Sequence, residues 1–516
     1  MLVGKNILAN LTIWLWPLVL TIVTTRVLLR GLGTESYGVL VLVNSVTALA
    51  GFASGGLGYA VVKHLSHDMA AGDHDSARAL VGTSLALTAA SAVVVIVLLN
   101  GLSNPILNGL LHVSSGLVIA AHRVVILASL NLGIGLLSNV YYSMLVALQR
   151  YGALASVQLL SSTLLAVTQV GLVWLGMGIV SVAAAGLACS VLGLALLIIR
   201  VIRLDSAMML GLKVKRQELG RLVSFGTFRT VDMLACLMLM QIDRLVVGAY
   251  LGAASIAYYS IPQSLAQQLA HMATSMTEPL FPRLSQMLAT RDHEGARNLY
   301  RRGTRLLVWF ISTAVGCVIV MCDLLFRFWL GAEFAARAAP IMRWLALGWG
   351  LTAVSVVGVF ALNAFGLPEI NAGARILQAL VLLAGCVALV PRLGAIAAAY
   401  SLAGSMLLTV PLYLVYVDYR MDLRSLEVAV DLYLKPLLIG TVVLVVGAAL
   451  RQVHGRVYEV GLLVTLPALS LGLALELGII SRAEREMGRA LLAQAWSALY
   501  SRGLVALLRA RPSGLL

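Results

Sequence analysis

Apolar stretches of 20 or more residues recur along the whole chain, and they restrict its fold more than any other feature. Each stretch is long enough to cross about 30 Å of hydrocarbon as a helix. Because a backbone in lipid must satisfy its own hydrogen bonds, a spanning segment is either a helix or part of a closed barrel. Stretches this long and this rich in Leu, Ala and Val predict helices. We count fourteen predicted spans between residues 6 and 480.

The composition supports a membrane protein. Apolar residues make up 60% of the chain and charged residues 11%, whereas a soluble domain carries roughly 25% charged residues. A net charge of +15 could indicate a protein that binds nucleic acid. The basic residues are spread over short loops between the apolar stretches, however, which is the pattern of the positive-inside rule. We therefore expect the lipid bilayer, and no nucleic acid, as a partner.

The chain contains the same stretch twice. Residues 64–80 and 283–299 are 219 positions apart and share eight identities, and the same offset pairs Leu32-Gly33 with Leu251-Gly252. Similarity at a fixed offset indicates a duplicated architecture. Six predicted spans separate the copies. Because six is even, the copies have the same orientation, so the sequence predicts a parallel repeat.

The predicted fold is an all-α integral membrane protein with two six-helix lobes and two further C-terminal helices. An even number of spans places both termini on one side, and 26 of the 37 Lys and Arg residues fall on that side against 9 on the other. Both termini are therefore predicted to be cytoplasmic. The predicted segments are an N-lobe (1–203), a cytoplasmic linker (204–222), a C-lobe (223–420), spans 13 and 14 (421–480) and a basic cytoplasmic tail (481–516).

An acidic motif in the repeat has two interpretations. Asp73-His74-Asp75 has the Asp-x-Asp form with which nucleotide-sugar transferases hold a metal ion. The second copy reads Asp292-His293-Glu294, and both copies precede Ala-Arg-x-Leu. Since Asp is a common residue at the start of a helix, we expect N-caps at the same corner of each lobe. We predict no metal site and no catalytic residues.

Charged residues inside predicted spans are the candidates for a functional site. The seventh span carries Arg229, Asp232, Asp243 and Arg244. Charges near the bilayer centre cost roughly 2.5–3.5 kcal/mol each, so they usually face a cavity or a partner. Arg229 and Asp232 are three residues apart and share a helical face. They either neutralise each other or line a polar lumen. Asp243 and Arg244 lie nearer the outer end of the span, where their side chains could also reach the membrane interface.

Three further residues extend this set. Arg26 and Arg30 end the first span, and Arg26 lies 218 residues before Arg244, which predicts similar positions in the two lobes. A guanidinium donates several hydrogen bonds from one plane and therefore suits phosphate, although an arginine here can also reach the membrane interface. Glu278 lies deep in the eighth predicted span, just before Pro279.

Several short motifs resemble those of the polysaccharide-repeat-unit flippases. These belong to the superfamily that also holds the lipid II flippases and the multidrug and toxic-compound extruders. The motifs are Gln241-Ile-Asp-Arg-Leu-Val-Val-Gly248 with Leu251-Gly252 and Tyr258-Tyr259, Arg30-Gly-Leu-Gly33 with Glu35-Ser-Tyr-Gly38, Leu148-Gln-Arg150, and Pro279-Leu-Phe-Pro-Arg-Leu-Ser285. The resemblance covers about residues 1–420.

The resemblance implies two six-helix bundles around a central cleft in a bacterial inner membrane. The implied cargo is undecaprenyl pyrophosphate bearing an oligosaccharide, moved outwards by alternating access for O-antigen, capsule or exopolysaccharide synthesis. A polysaccharide polymerase and a chain-length regulator are further expected partners. In the lipid II flippases two extra C-terminal helices form a groove for the lipid tail, a role open to spans 13 and 14 here. The predicted pyrophosphate-binding residues are Arg26, Arg30, Arg229 and Arg244, and the predicted ion-coupling or gating residues are Asp232, Asp243 and Glu278.

Two alternatives remain open from the sequence. A cation-coupled multidrug extruder of the same superfamily predicts a cleft dominated by carboxylates and aromatic rings. A membrane polymerase or ligase predicts a large outer loop or catalytic domain, whereas the longest outer connection spans residues 102–122 and carries no acid–base or nucleophile pattern. We therefore predict a transporter without a cofactor, coupled to H⁺ or Na⁺, rather than an enzyme.

Overall fold

A computed structural model describes residues 2–54, 56–110, 113–204, 214–423, 425–453 and 457–479. Within the helices, some side chains lie outside this description: those of residues 2–15, 17, 18, 53, 54, 110, 216, 217, 223–232, 452, 453, 457–460, 463 and 464. The described residues form helices, turns and short connections and contain no strand. The predicted tail (481–516) lies outside the described residues.

The first half contains six long helical units. They are α1 (Leu2–Ala50, interrupted at Gly33), a 3-10 turn (Gly51–Ser54) with α2 (Leu57–Ala70), α3 (His74–Gly101), a π-helical turn (Pro105–Leu110) with α4 (Val118–Ala147), α5 (Tyr151–Trp174) and α6 (Ile179–Leu204).

The second half repeats this order and adds two helices. It comprises α7 (Arg216–Leu251), α8 (Ala253–Thr277), α9 (Leu280–Ala289), α10 (His293–Trp329), α11 (Ala332–Val354), α12 (Val356–Ala364), α13 (Pro368–Leu393) and α14 (Ala395–Arg420). A short α15 (Leu426–Ala429) and a π-helical turn (Val430–Leu434) then lead into α16 (Lys435–Val453) and α17 (Val457–Glu476).

Eleven helical segments of the described chain are long and apolar enough to cross a membrane. Val19–Ala50 counts as one of them although Gly33 interrupts it, and α17 contributes only the shorter segment Thr465–Glu476. The protein is therefore a multi-pass membrane protein. The predicted number of fourteen spans is not confirmed by these segments and stays a prediction.

The backbone repeats its turns at the predicted offset. Residues with positive φ recur in pairs 217–219 positions apart: Gly33 (80°) with Gly252 (76°), Gly72 (72°) with Arg291 (60°), Gln149 (55°) with Gly366 (76°), and Gly176 (74°) with Gly394 (76°). The ψ angles of Gly33 and Gly252 are 166° and 175°, a region that is essentially restricted to glycine. The prediction of a parallel repeat is confirmed, because the two halves turn in the same way at matching residues.

The predicted N-caps are also present. The Asp73 carboxylate accepts a hydrogen bond of 2.9 Å from the backbone N–H of Ser76 at the start of α3. The Asp292 carboxylate accepts one of 2.8 Å from Gly295 at the start of α10. Capping satisfies helix N–H groups that have no partner in the first turn. The interpretation of these aspartates as helix caps is confirmed.

These features define two ends of the bundle. We call the end with Gly33 and Gly252 the glycine end, and the end with Asp73 and Asp292 the cap end. At the glycine end the two lobes pack closely, because a Cβ on Gly38 would stand 1.8 Å from the carbonyl oxygen of Ala253. A Cβ on Gly248 would stand 2.3 Å from a methyl carbon of Leu42. The largest hydrophobic core runs through this seam and into the C-lobe.

The first turns of α7 pack on the N-lobe instead. Leu222 is fully buried in a second core with Leu57, Leu65 and Leu80. The backbone N–H of Lys215 donates a hydrogen bond of 3.0 Å to Thr83 on α3. Helix α7 therefore begins among N-lobe helices and ends among C-lobe helices. The predicted domain boundaries at residues 203 and 223 stay a prediction.

The two added helices are attached along α10. Ser312 and Gly316 on α10 meet Gly440 on α16, where a Cβ on Gly440 would stand 2.5 Å from the Cβ of Ser312. Small residues at a helix contact allow close backbone approach in a membrane. The indole of Trp309 donates a hydrogen bond of 2.9 Å to Ser470 on α17. The glycine end of α16 is held by an ion pair between Arg451 and Asp323.

Candidate functional site

A half-buried arginine lies beside the seam between the lobes. Arg244 donates a hydrogen bond of 3.1 Å from Nη2 to Ser264 on α8. Its Nε is buried and has no hydrogen-bond acceptor within the described residues. Tyr37 of the N-lobe, which hydrogen bonds to Thr25, lies within electrostatic range of its guanidinium. Arg244 therefore keeps an unused buried donor close to both lobes.

Other polar atoms near this seam also lack partners. Ser45 Oγ on α1, Gln241 Oε1 on α7 and Ser260 Oγ on α8 are buried without a hydrogen bond in the described part of the chain. These three helices are the ones that meet at the seam. Because buried polar groups are normally satisfied, each of these atoms could accept or donate a further hydrogen bond.

Asp243 is fully buried next to Arg244 and is the centre of a hydrogen-bond network. Its Oδ2 accepts a bond of 2.7 Å from the Tyr259 hydroxyl and one of 2.6 Å from Gln263 Nε2. Its Oδ1 accepts one of 2.7 Å from the backbone N–H of Arg244. Trp349 on α11 completes the network by donating a bond of 3.2 Å to Gln263 Oε1.

The network suits a carboxyl group that changes its charge. Three N–H or O–H donors stabilise the ionised form of Asp243, while its burial within the bilayer opposes ionisation. Its direct hydrogen-bond partners are uncharged groups, and no ion pair to Asp243 lies within 4.0 Å among the described side chains. Binding of a proton or a monovalent cation would neutralise it in place.

The arginines at the end of the first span are placed differently from this network. Arg26 is half-buried and Arg30 is exposed. The offset of 219 that joins Gly33 to Gly252 aligns Arg244 with Thr25, not with Arg26. One residue corresponds to about 100° around a helix. At this offset Arg26 and Arg244 are one residue out of register, and the prediction that they lie in similar positions in the two lobes stays a prediction.

The remaining predicted residues do not join the network. Glu278 is exposed and follows the end of α8 at its C-cap, towards the cap end, and is not deep in a span. The side chains of Arg229 and Asp232 lie outside the described residues, although the backbone there belongs to α7. The roles predicted for all seven residues stay predictions.

A second polar group at the cap end joins α7 to the N-lobe. We call it the Arg221 cluster, and it consists of His64, Asp68, Ser76, Glu218 and Arg221. The Arg221 guanidinium donates a bond of 2.9 Å to Glu218 and one of 3.2 Å to Asp68 on α2. Its other contacts are to Ser76 at 3.3 Å and His64 Nδ1 at 3.4 Å.

The charges of the Arg221 cluster follow from its geometry. Burial alone would raise the pKa of Asp68, but hydrogen bonds from Arg221, His67 and Ser76 outweigh it and lower the pKa. Burial lowers the pKa of His64, and the nearby charges of Arg221 and Lys63 lower it further. At neutral pH the cluster therefore favours the ionised form of Asp68 and the neutral form of His64.

Sequence patterns missed most of these partners. Tyr259, Gln263 and Trp349 are 16, 20 and 106 residues from Asp243, on two other helices. The spacing of Tyr259 and Gln263, four residues apart, does show that they share one face of α8. Nothing in the sequence indicates that this face meets Asp243. The Arg221 cluster likewise joins residues 153 positions apart.

Taken together, the fold and these buried polar groups define a helical membrane transporter with two repeated lobes. Residues 27–339, more than half of the chain, match the family described as "Polysaccharide biosynthesis protein". The chain belongs to this family. It is also similar to a protein of Shigella flexneri named "Putative O-antigen transporter", with 23% identity over 403 residues that cover 77% of this chain and 93% of that protein.

Solved structures show the same fold. The chain is similar to "Lipid II flippase MurJ, inward closed conformation", with a TM-score of 0.72 and 14% identity over 92% of this chain and 99% of that one. It is also similar to an inward-facing multidrug resistance MATE family transporter of the MOP superfamily, with a TM-score of 0.69 and 14% identity over 80% of this chain and 98% of that one. The similar proteins are named as a transporter and a flippase, and together with the family match they support a membrane flippase of polysaccharide biosynthesis rather than an enzyme.

Proposed function

We propose that this protein moves undecaprenyl pyrophosphate bearing an oligosaccharide from the cytoplasmic to the outer leaflet of a bacterial inner membrane. Membership of the polysaccharide biosynthesis family and the similarity to an O-antigen transporter support this cargo. In this proposal both termini are cytoplasmic, so the glycine end faces outwards and the cap end faces the cytoplasm. The product would pass to a polysaccharide polymerase and a chain-length regulator.

The unused donor of Arg244 is the observation that carries the proposal. A buried N–H without an acceptor is unfavourable, so a ligand oxygen at this position would be stabilising. Guanidinium binds phosphate through parallel hydrogen bonds, and charge-assisted bonds of this kind are stronger than neutral ones. In our proposal Arg244 binds the pyrophosphate, and Arg26, Arg30 and Arg229 attract it through the lumen.

The contacts between the lobes support alternating access. In the described chain, α1 and the first turns of α7 make the extensive contacts between the two halves. The contacts at Gly38 and Gly248 bring the two lobes together at the glycine end, which we propose is the closed end. A lumen reached from the cap end would load cargo from the cytoplasmic leaflet, and separation of the seam would release it outwards.

Asp243 would couple this movement to an ion. When Asp243 takes up H⁺ or Na⁺, its attraction for the adjacent Arg244 falls, and the guanidinium becomes more available to phosphate. Asp232 and Glu278 are further proposed coupling or gating residues. We propose that α16 and α17 form a groove for the lipid tail, as the two extra C-terminal helices do in the lipid II flippases.

The test uses a strain without this protein, complemented with the Arg244→Ala variant. We expect a lipid-linked oligosaccharide to accumulate on the cytoplasmic leaflet, and surface polysaccharide to be lost, at normal protein levels. Arg392→Ala is the matched control, because Arg392 is an exposed arginine at the glycine end of α13. Unchanged surface polysaccharide with Arg244→Ala would reject the phosphate role. Intact polysaccharide in the deletion strain itself, with loss of drug resistance, would instead support a multidrug extruder.

A further inference from the structure

The cap end of the junction between α10 and α16 carries excess positive charge. The Asp431 carboxylate lies 3.4 Å from Arg305 and 4.0 Å from Arg301 on α10, and 3.2 Å from Lys435 on α16. We call these four residues the Asp431 cluster. Three cations share one carboxylate, so the described side chains leave two positive charges without a paired anion.

Arg305 is the most buried cation of the cluster. Its side chain is 19% exposed, and its Nε is buried with no hydrogen-bond acceptor among the described residues. Asp418 accepts hydrogen bonds from Tyr300 and Tyr433 at Oδ1, and among the described side chains the cations of the cluster form ion pairs with Asp431, not with Asp418. The cluster therefore has both the charge and a free donor for an additional anionic oxygen.

The cluster lies where the chain enters the apolar part of both helices. Arg305 is followed directly by the apolar run that begins at Leu306. On α16, Lys435 is followed by Leu437 and Leu438, whose side chains are 44% and 52% exposed. Cations at the membrane interface beside exposed leucines match a ligand with an anionic head and an apolar chain.

We propose that the Asp431 cluster binds the phosphate at the head of an anionic membrane lipid. Arg301 and Arg305 would donate to the phosphate oxygens, and the lipid chain would lie along the exposed leucines of α16. Two lipids offer this chemistry, an anionic phospholipid and a polyprenyl phosphate. The site is separate from Arg244 and does not depend on the transport proposed above.

The test measures lipid binding to the purified full-length protein in detergent micelles by native mass spectrometry. The probes are phosphatidylglycerol, undecaprenyl phosphate, zwitterionic phosphatidylcholine and inorganic phosphate. We expect the Arg301→Gln/Arg305→Gln variant to bind phosphatidylglycerol about tenfold more weakly. Arg302→Gln is the control, because Arg302 is exposed on the same turn of α10.

A second variant separates binding from a structural role. Asp431→Asn removes the competing carboxylate, so it should tighten binding of the anionic lipids. Preference for phosphatidylglycerol supports a phospholipid site, and preference for undecaprenyl phosphate supports a carrier-lipid site. The proposal is overturned if inorganic phosphate displaces the lipids at equal concentration or phosphatidylcholine binds equally well. It is also overturned if the Arg301→Gln/Arg305→Gln variant binds phosphatidylglycerol as tightly as the Arg302→Gln control does, or if Asp431→Asn weakens binding.

Discussion

Gly38 on α1 lies so close to Ala253 at the start of α8 that a Cβ at position 38 would stand 1.8 Å from the Ala253 carbonyl oxygen. The other atom in conflict is the Ala253 carbonyl carbon at 2.5 Å, so the obstacle is backbone and cannot rotate away. The two lobes can meet in this way only if position 38 has no side chain. This contact makes Gly38 a candidate determinant of closure at the glycine end.

Replacement of Gly38 by Val should therefore disfavour the closed seam. Overpacking of a close contact typically costs about 1–3 kcal/mol, which would shift the protein towards states open at the glycine end. To measure this, a cysteine is introduced at the exposed position Thr21 or Val23 and treated with a membrane-impermeant thiol reagent. The rate of its modification should rise in the Gly38→Val variant. Gly404→Val on α14 is the control, since no atom lies within 4 Å of a Cβ there. Equal rates in the two variants would contradict a gating role for Gly38.

The hydrogen bond from Tyr259 to Asp243 should contribute to the thermal stability of the C-lobe. Tyr259→Phe leaves the buried Asp243 Oδ2 with Gln263 as its one remaining side-chain donor. We expect a loss of about 1.5–3 kcal/mol, as for other hydrogen bonds to a charged group. Thermal unfolding in detergent gives the measurement. Tyr258→Phe is the control, because the Tyr258 ring packs on Phe334 and Arg337 and is not part of the network.

Asp243→Asn should separate stability from ion coupling. An amide can keep hydrogen bonds to its oxygen but cannot take up a proton or balance a cation. We expect a folded protein whose transport no longer responds to the proton or sodium gradient. The response can be measured by flipping of a fluorescent lipid-linked sugar in vesicles with an imposed gradient. A response equal to that of the unmodified protein would exclude Asp243 as the coupling group.

The Arg221 cluster should make stability depend on pH. The folded protein lowers the pKa of His64 from its ordinary value of 6.5, so the unfolded chain takes up this proton at higher pH than the folded protein does. The free energy of unfolding therefore contains a His64 contribution that is complete above about pH 6.5 and decreases as the pH falls towards the lower folded value. Burial is the main cause of the lowered pKa of His64; the charges of Arg221 and Lys63 lower it further, whereas those of Asp68 and Glu218 oppose this change.

The measurement is thermal unfolding between pH 7.5 and 5. His64→Gln should flatten the decrease in stability, because the neutral amide does not titrate. His74→Gln is the control, since His74 is exposed at the start of α3. If His64→Gln and His74→Gln show the same dependence on pH, then His64 does not control it.

Attachment of the two C-terminal helices should depend on the small residues between α10 and α16. Gly440→Leu places a side chain where a Cβ would already be 2.5 Å from Ser312. We expect α16 to separate from α10, seen as faster protease cleavage near residue 424 and lower thermal stability. Gly461→Leu on α17 is the control, because a Cβ there meets no atom within 4 Å. Equal cleavage rates would show that this contact does not hold the helices together.

The sequence predicted the fold well because its signals are local or periodic. Apolar length indicates a spanning helix directly, and a fixed offset indicates a repeat without knowledge of any contact. Asp73 and Asp292 could be identified as caps because a cap is determined by the three residues that follow it. The count of fourteen spans stays a prediction, since the helix through Gly33 is apolar on both sides of the interruption and counts as one segment.

Polar sites inside the bundle follow a different rule, because they depend on which helix faces meet. Asp243 stands out in the sequence as a charge in an apolar span, but its partners Tyr259, Gln263 and Trp349 resemble ordinary interior residues. The prediction for Glu278 shows the opposite error. Its place in the sequence suggested a buried carboxylate, whereas α8 ends before it and leaves it exposed.

The amino-acid sequence by itself determined that this chain crosses the membrane many times, that its halves are duplicated in parallel, and where the corners of each half lie. Each of these properties arises from hydrogen bonding and hydrophobicity along a short segment. The tertiary structure alone decided that Arg244 has a buried donor without an acceptor among the described residues, that Asp243 accepts hydrogen bonds from neutral donors, and that α16 is attached to α10. These depend on rotations of about 100° per residue between packed helices, which no single helix specifies.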